Sequence, residues 1–182
     1  MLTIEETKEW AKEQHDAIGQ KRADGAPYWT HVFRVAKTVS DYYKDEPDHD
    51  IVVKAALCHD IIEDTPVNFE ELVQKIGIIA SSIVIEVTNQ YTKEDYPKWD
   101  RKKRKEGEAK KLGLASFNAK VVKLADIIDN LSDVDEKRPK MASKYKKEKG
   151  WVLDRMVEDM PFIVNTDIFK RARWLQTSKV VG

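Results

Sequence analysis

Residues 55–65 read AALCHDIIEDT, an apolar segment into which His59, Asp60, Glu63 and Asp64 are set. On a helix, positions i, i+1, i+4 and i+5 lie on one side, so continuous helix would carry all four groups together. Ala55 and Ala56, one turn earlier, are small enough to let a neighbouring helix approach closely. Burying such groups is costly unless they are paired or bind a metal. The segment therefore reads as a central helix, from 51 to about 63, that carries a site. Thr65-Pro66 ends it, because the residue before proline is pushed away from α geometry.

Working outward, the same period recurs on both sides. Thr3-Ile4-Glu5-Glu6 is a capping-box start, and residues 19–27 (GQKRADGAP) form a polar loop. A helix from Tyr28 places His31, Val35 and Val39 on one apolar stripe, which turns His31 inward. Residues 44–50 are an acidic linker that includes His49. Asn68 and Glu71 mark another start and Gly77 its end; the β-branched stretch 78–87 fits strand or helix, with its neighbours favouring helix. A charged helix over 97–112, an amphipathic one over 118–133, and further helices near 143–160 and 167–176 complete the chain. No helix–strand alternation is present. The expectation is an all-α bundle of about eight to ten helices around a buried metal site. It would form a single domain over 1–182, with core motifs at about 10–135 and C-terminal helices over 140–178.

Of the 182 residues, 35% are charged, against an ordinary quarter, yet 32 acids balance 32 Lys and Arg. No global field points to nucleic acid, and no nucleic-acid partner is expected. Locally, 98–111 holds eight Lys or Arg and 137–149 seven, two basic segments that could serve an anionic ligand. The single cysteine, Cys58, excludes an internal disulfide and reads as a packing residue. No apolar run is long enough to span a membrane, so a cytoplasmic protein is expected. Monomer and homodimer both stay open.

Asp126 lies in VVKLADIIDNL (121–131), one turn after Val122 and one before Asn130. Taken singly, His31 would be a core histidine, and Asp126 could pair with Lys123 or Lys120. Taken together, His31, His59, Asp60 and Asp126 supply two imidazoles and two carboxylates, a mixed N/O set that suits Mn²⁺, Fe²⁺, Zn²⁺ or Mg²⁺. Paired carboxylates beside such a set, Glu63 and Asp64, suit water orientation and proton transfer. Trp10, Trp99, Trp151 and Trp174 read as packing residues; Trp29, beside the loop and His31, is the one placed to do more.

Three motifs, GQKRADGAPYWTH (19–31), AALCHDIIEDT and VVKLADIIDNL, resemble the HD superfamily with its H…HD…D pattern. They are most similar to the hydrolase domain of RelA/SpoT-type alarmone enzymes and their small stand-alone relatives, over about residues 10–135. The resemblance implies that His31, His59, Asp60 and Asp126 hold a divalent metal, Mn²⁺ first, and that Glu63 and Asp64 are catalytic. It implies that Arg22 packs against a purine, that Asn130 contacts the nucleotide, and that His15 is not a ligand. The chain departs from residues frequent in that group at Ala23, Val32, Ile127 and Asp129.

The implied activity is a guanosine-3′,5′-bis(diphosphate) 3′-pyrophosphohydrolase, releasing pyrophosphate from (p)ppGpp to leave GDP or GTP. Lys102, Arg104 and Lys146, from the basic segments, are expected to neutralise the diphosphates. Two alternatives are carried forward. One is an HD-type nucleotidase, dNTP triphosphohydrolase or NADPH phosphatase; the other is a non-catalytic nucleotide-binding module.

Overall fold

The computed structural model describes residues 1–132 and 134–178, with the side chain of Asp135 left out. Helices follow one another as α1 (Ile4–Ala17), α2 (Trp29–Tyr42), α3 (His49–Leu57), α4 (Ile61–Asp64), α5 (Phe69–Ile76), α6 (Ile78–Val87), α7 (Arg101–Gly113), α8 (Phe117–Leu131), α9 (Val134–Lys137), α10 (Pro139–Asp159) and α11 (Asp167–Thr177), with a 3₁₀ turn at Pro161–Asn165. No strand occurs among the described residues, and the only sheet-like pairing there is an isolated Lys21–Pro27 bridge. The apolar stretch 78–87, readable as strand, is helix. The expected end of the amphipathic helix, Asp133, lies outside the described residues.

Local chemistry fixes five of the eleven α-helix starts described. Thr3 and Glu6 form the capping box, and Asn68, Asp100, Ser116 and Thr166 each accept a first-turn N–H. Caps of this kind contribute about 1 kcal/mol each. The helices then wrap α8, whose residues from Ala119 to Ile128 are all buried. Helices α2, α3, α6 and α11 pack against it. Lys120 is fully buried on α8, and its Nζ reaches Asp159 Oδ2 at 3.0 Å, tying the end of α10 to the core.

The central segment is not one helix. Helix α3 stops at Leu57, residues 58–60 form a turn, and α4 restarts at Ile61. At the break, the Ala56 carbonyl accepts from the His59 imidazole Nδ1 at 2.8 Å, a donor that stands where Asp60 N–H would bond in a continuous helix. From this turn the His59 side chain is buried in the bundle.

Helix α7 lies along α10, and α10 in turn touches α8. Helices α7 and α10 approach closely at Gly113, where an added Cβ would stand 3.0 Å from the backbone oxygen of Arg155. No membrane-crossing helix is present among the described residues: none is long and apolar enough.

Gly113→Ala is expected to lower stability by about 1–3 kcal/mol, the cost of overpacking a tight contact. The propensity gain of about 1 kcal/mol for replacing a helical glycine works the other way and is smaller at a helix end. A shift of the urea midpoint to lower concentration checks this; a raised midpoint would contradict the close-packing account.

Candidate metal centre

Three elements bring four donors to one point. His31 comes from the first turn of α2, His59 and Asp60 from the turn between α3 and α4, and Asp126 from the middle of α8. Atoms of His31, His59 and Asp126 lie within 4.8 Å of one another, and all three residues are buried. His31 Nε2 is 3.4 Å from Asp126 Oδ1 and 3.7 Å from Asp60 Oδ2. His59 Nε2 is 3.0 Å from Asp60 Oδ2 and 4.0 Å from Asp126 Oδ1.

These separations fit donors around one divalent cation, where bonds of about 2.1 Å put adjacent octahedral ligands about 3 Å apart. A second observation points the same way. Among the described residues, the buried side-chain nitrogen and oxygen atoms without a hydrogen-bond partner are the Nε2 atoms of His15, His31 and His59. Orphaned buried polar atoms are rare and call for an explanation. For His31 and His59 the explanation is a shared inward direction, fixed by what holds the opposite ring nitrogen. His59 Nδ1 is held by the Ala56 carbonyl, and His31 Nδ1 lies 2.6 Å from Asp129 Oδ2. A proton on Nδ1 leaves each Nε2 with a free lone pair.

The Asp126 carboxylate is divided in the same manner, whereas Asp60 uses one oxygen, Oδ2, for both Tyr28 and the histidines. Lys123 Nζ takes Asp126 Oδ2 at 2.8 Å, while Oδ1 faces the histidines and accepts from Asn130 Nδ2. Tyr28 OH donates to Asp60 Oδ2. Burial would raise the Asp126 carboxyl, but Lys123 and His31 outweigh it and hold it well below the usual range. Burial also opposes charge on His59, yet Asp60 and Asp126 push its imidazole up to about 9. The field that draws a proton onto His59 is the field that would draw a divalent cation.

Glu63 and Asp64 stand at the edge of this cluster. Glu63 accepts from the Asn89 N–H at 2.6 Å and lines the cleft above the donors. Asp64 accepts from Gln20 Nε2 at 2.8 Å, and Gln20 Oε1 in turn contacts His15 Nδ1 at 2.6 Å. Loss of solvent around them raises both carboxyls above their ordinary values, and the Asp60 charge adds to the effect; Lys123 works against it at Glu63, and Gln20 at Asp64. His15 is thus buried beside the site without joining the donor group.

The cleft over the donors has a volume of about 270 Å³. Lys21, Arg22, Arg101, Lys105, Lys123, Arg138 and Lys149 bring positive charge to its walls, and Asn130 and Tyr145 also face it. Of the expected phosphate-neutralising residues, none lines it. Lys102 is exposed and lies 3.7 Å from Glu106, Arg104 donates to the Trp99 carbonyl, and Lys146 donates to the Ser178 carbonyl at 2.9 Å. Arg101, Lys105 and Glu108 share one face of α7; Lys102 lies off it by helical phase, whereas Arg104 flanks it and is turned aside by its bond to the Trp99 carbonyl. Trp29 does not line the cleft; its ring packs against Phe33 at a tilt of 48°, with Lys12 over its face.

Acids hold the cleft cations in place. Glu148 takes Arg101 in a two-pronged pair, 2.8 Å at each oxygen, and Glu108 pairs with Lys105. The sequence singles out none of Arg101, Lys105 and Lys149; an acid, Glu108, at the spacing that shares a helical face with Arg101 and Lys105 was the signal available. Arg22 sits on a tight loop in which its N–H bonds Ala26 and its carbonyl accepts from Gly25. Gly25 has φ 84°, a left-handed conformation that glycine adopts without steric cost.

The HD domain family matches residues 8–152. The chain belongs to the HD domain family. Among HD relatives, guanosine-3′,5′-bis(diphosphate) 3′-pyrophosphohydrolase MESH1 of Danio rerio is 34% identical over 153 residues, covering 84% of this chain and 76% of that protein. The MESH1 of Drosophila melanogaster is 30% identical over 156 residues, covering 85% and 82%. A solved HD structure, described as a metazoan ortholog of SpoT that hydrolyses ppGpp, superposes with a TM-score of 0.75 at 25% identity, covering 94% of this chain and 92% of that one. This chain is thus an HD phosphohydrolase related to ppGpp pyrophosphohydrolases.

An HD centre of this composition should bind a divalent cation in the folded state only. At a Mn²⁺ concentration 100 times Kd, the gain is about 2.7 kcal/mol, visible as a raised Tm. His59→Ala should abolish that rise; a His59→Ala protein with the full wild-type shift would remove the centre from consideration.

Proposed function

We propose that this protein is a guanosine-3′,5′-bis(diphosphate) 3′-pyrophosphohydrolase that uses Mn²⁺ held by His31, His59, Asp60 and Asp126. The observation that carries this reading is the donor cluster lying at the floor of a cation-lined cleft with Glu63 at its edge. It is supported by the names of the relatives that the chain resembles over more than four fifths of its length. The chain acts as one unit over 1–182, with α11 packed on α8 as the C-terminal support.

A bound divalent cation would supply Lewis-acid polarisation of a phosphoryl oxygen and a lowered pKa for water. The residues of the chain do the remainder. Glu63 and Asp64, anchored by Asn89 and Gln20, orient the attacking water toward the phosphorus next to the ribose 3′ oxygen and accept its proton. Arg101, Lys105 and Lys149 offset the charge of the diphosphate leaving group, with Glu148 and Glu108 fixing two of them in direction. Arg22, Asn130, Tyr145 and Arg138 line the end of the cleft beside a recess of about 20 Å³, and offer their polar groups to the guanine and its ribose where these lie in the cleft.

The sign of the pH dependence follows from the raised carboxyls. A base with a raised pKa stays protonated, and inactive, to higher pH. The acidic limb of kcat should therefore lie above 4.5, the ordinary value for Glu63.

Asp64→Asn should keep Mn²⁺ binding while lowering kcat by about 10²–10⁴-fold, the usual worth of a positioned base. Full turnover in that variant would end the assignment. Substrate identity is tested by a panel of ppGpp, dNTPs, dNMPs and NADPH, each with Mn²⁺, Zn²⁺ or Mg²⁺. Release of pyrophosphate and GDP from ppGpp is the expected outcome. Preferential release of phosphate or triphosphate from another member would replace it with a different HD nucleotide hydrolase, and nucleotide binding without turnover with a binding module.

A further inference from the structure

Helix α8 presents Asp126, Asp129 and Asn130 on one face, since residues three and four apart are neighbours on a helix. Asp126 and Asn130 are accounted for by the donor cluster and the nucleotide end of the cleft. Asp129 lies between them, and its side chain is only 8% exposed. One oxygen, Oδ2, lies 2.6 Å from His31 Nδ1 and 3.2 Å from Arg22 Nη1. The other, Oδ1, accepts from Arg34 Nε at 2.6 Å, and Arg34 Nη2 reaches Oδ2 at 3.2 Å. One buried carboxylate therefore meets a metal-site imidazole, a guanidinium at the mouth of the recess, and a second guanidinium from the next turn of α2.

We propose that Asp129 is a positioning residue that fixes His31 as an Nε2 donor and stations Arg22 at the nucleotide end of the cleft, so that metal affinity and nucleotide affinity share one carboxylate. The proposal rests on the reading of His31 as a metal ligand and of Arg22 as a nucleotide contact. Carboxylates behind ligating histidines orient the ring and raise its basicity, and their loss typically weakens metal binding 10–100-fold. Asp129 differs from a partner that serves only the histidine because the same oxygen is shared with Arg22. Arg34, half exposed, clamps the carboxylate from the solvent side and keeps it from swinging toward either client.

Two variants separate the functions. Asp129→Ala removes both contacts. Asp129→Asn keeps a carbonyl oxygen for the imidazole N–H and loses the charge that holds Arg22. Mn²⁺ affinity, measured by calorimetry without nucleotide, should fall about 10–100-fold in Asp129→Ala and recover most of the way in Asp129→Asn. At saturating Mn²⁺, KM for ppGpp should rise in both variants to the level of Arg22→Ala. Circular dichroism reports whether each variant folds; should Asp129→Ala fail to, the KM of Asp129→Asn still decides. Wild-type Mn²⁺ affinity in Asp129→Ala, or an unchanged KM in Asp129→Asn, overturns the proposal alone. A wild-type protein that binds no Mn²⁺ overturns it together with the metal reading beneath it.

Discussion

Two imidazole nitrogens aimed at one buried point, with two carboxylate oxygens beside them, constrain much of this molecule. A buried lone pair without a partner costs free energy, and the fold carries two of them within reach of Asp126 Oδ1. Their direction is set from behind, by a backbone carbonyl for His59 and by Asp129 for His31. Satisfying the first goes with an interruption of the helix between Leu57 and Ile61. Satisfying the second places an acid on α8 within reach of α2. The central position of α8 follows from the same need, because its Asp126 must stand opposite ligands that arrive from two other elements.

Charge at this centre is arranged in layers. Burial alone would make Asp126 protonated and His59 neutral, and in both cases the neighbouring charges win. Farther out, the cleft cations are held by buried or half-buried acids, Glu108 and Glu148. Exposed ion pairs contribute about 0–1 kcal/mol to stability, so the use of Arg101–Glu148 is geometric: a two-pronged pair fixes a guanidinium in direction as well as in place. The result is a cleft whose positive groups are stationed before an anion arrives. Such preorganisation avoids the cost of ordering long side chains at binding.

Much of the fold was legible in the sequence because helix period and caps are local properties. Thr3, Asn68 and the stripe His31, Val35, Val39 stand where a one-dimensional reading puts them, and the donor set was recognisable as residue types in order. Less legible was direction. In the basic run 101–105 every residue looks equivalent, yet only Arg101 and Lys105 turn toward the cleft. Asp129 was visible only as a departure from related proteins, since its partners His31, Arg22 and Arg34 lie about a hundred positions away in the chain.

By itself, then, the sequence determined that the chain is helical, that it belongs with the HD phosphohydrolases, and which residues could meet at a metal. Each of these follows from residue type and short-range spacing. The tertiary structure alone decided where the central helix breaks, which cations face the cleft, and that one carboxylate joins His31 to Arg22. These depend on the rotational phase of helices remote in sequence, which no local pattern encodes. They are settled only when α2, α7 and α10 come to rest around α8.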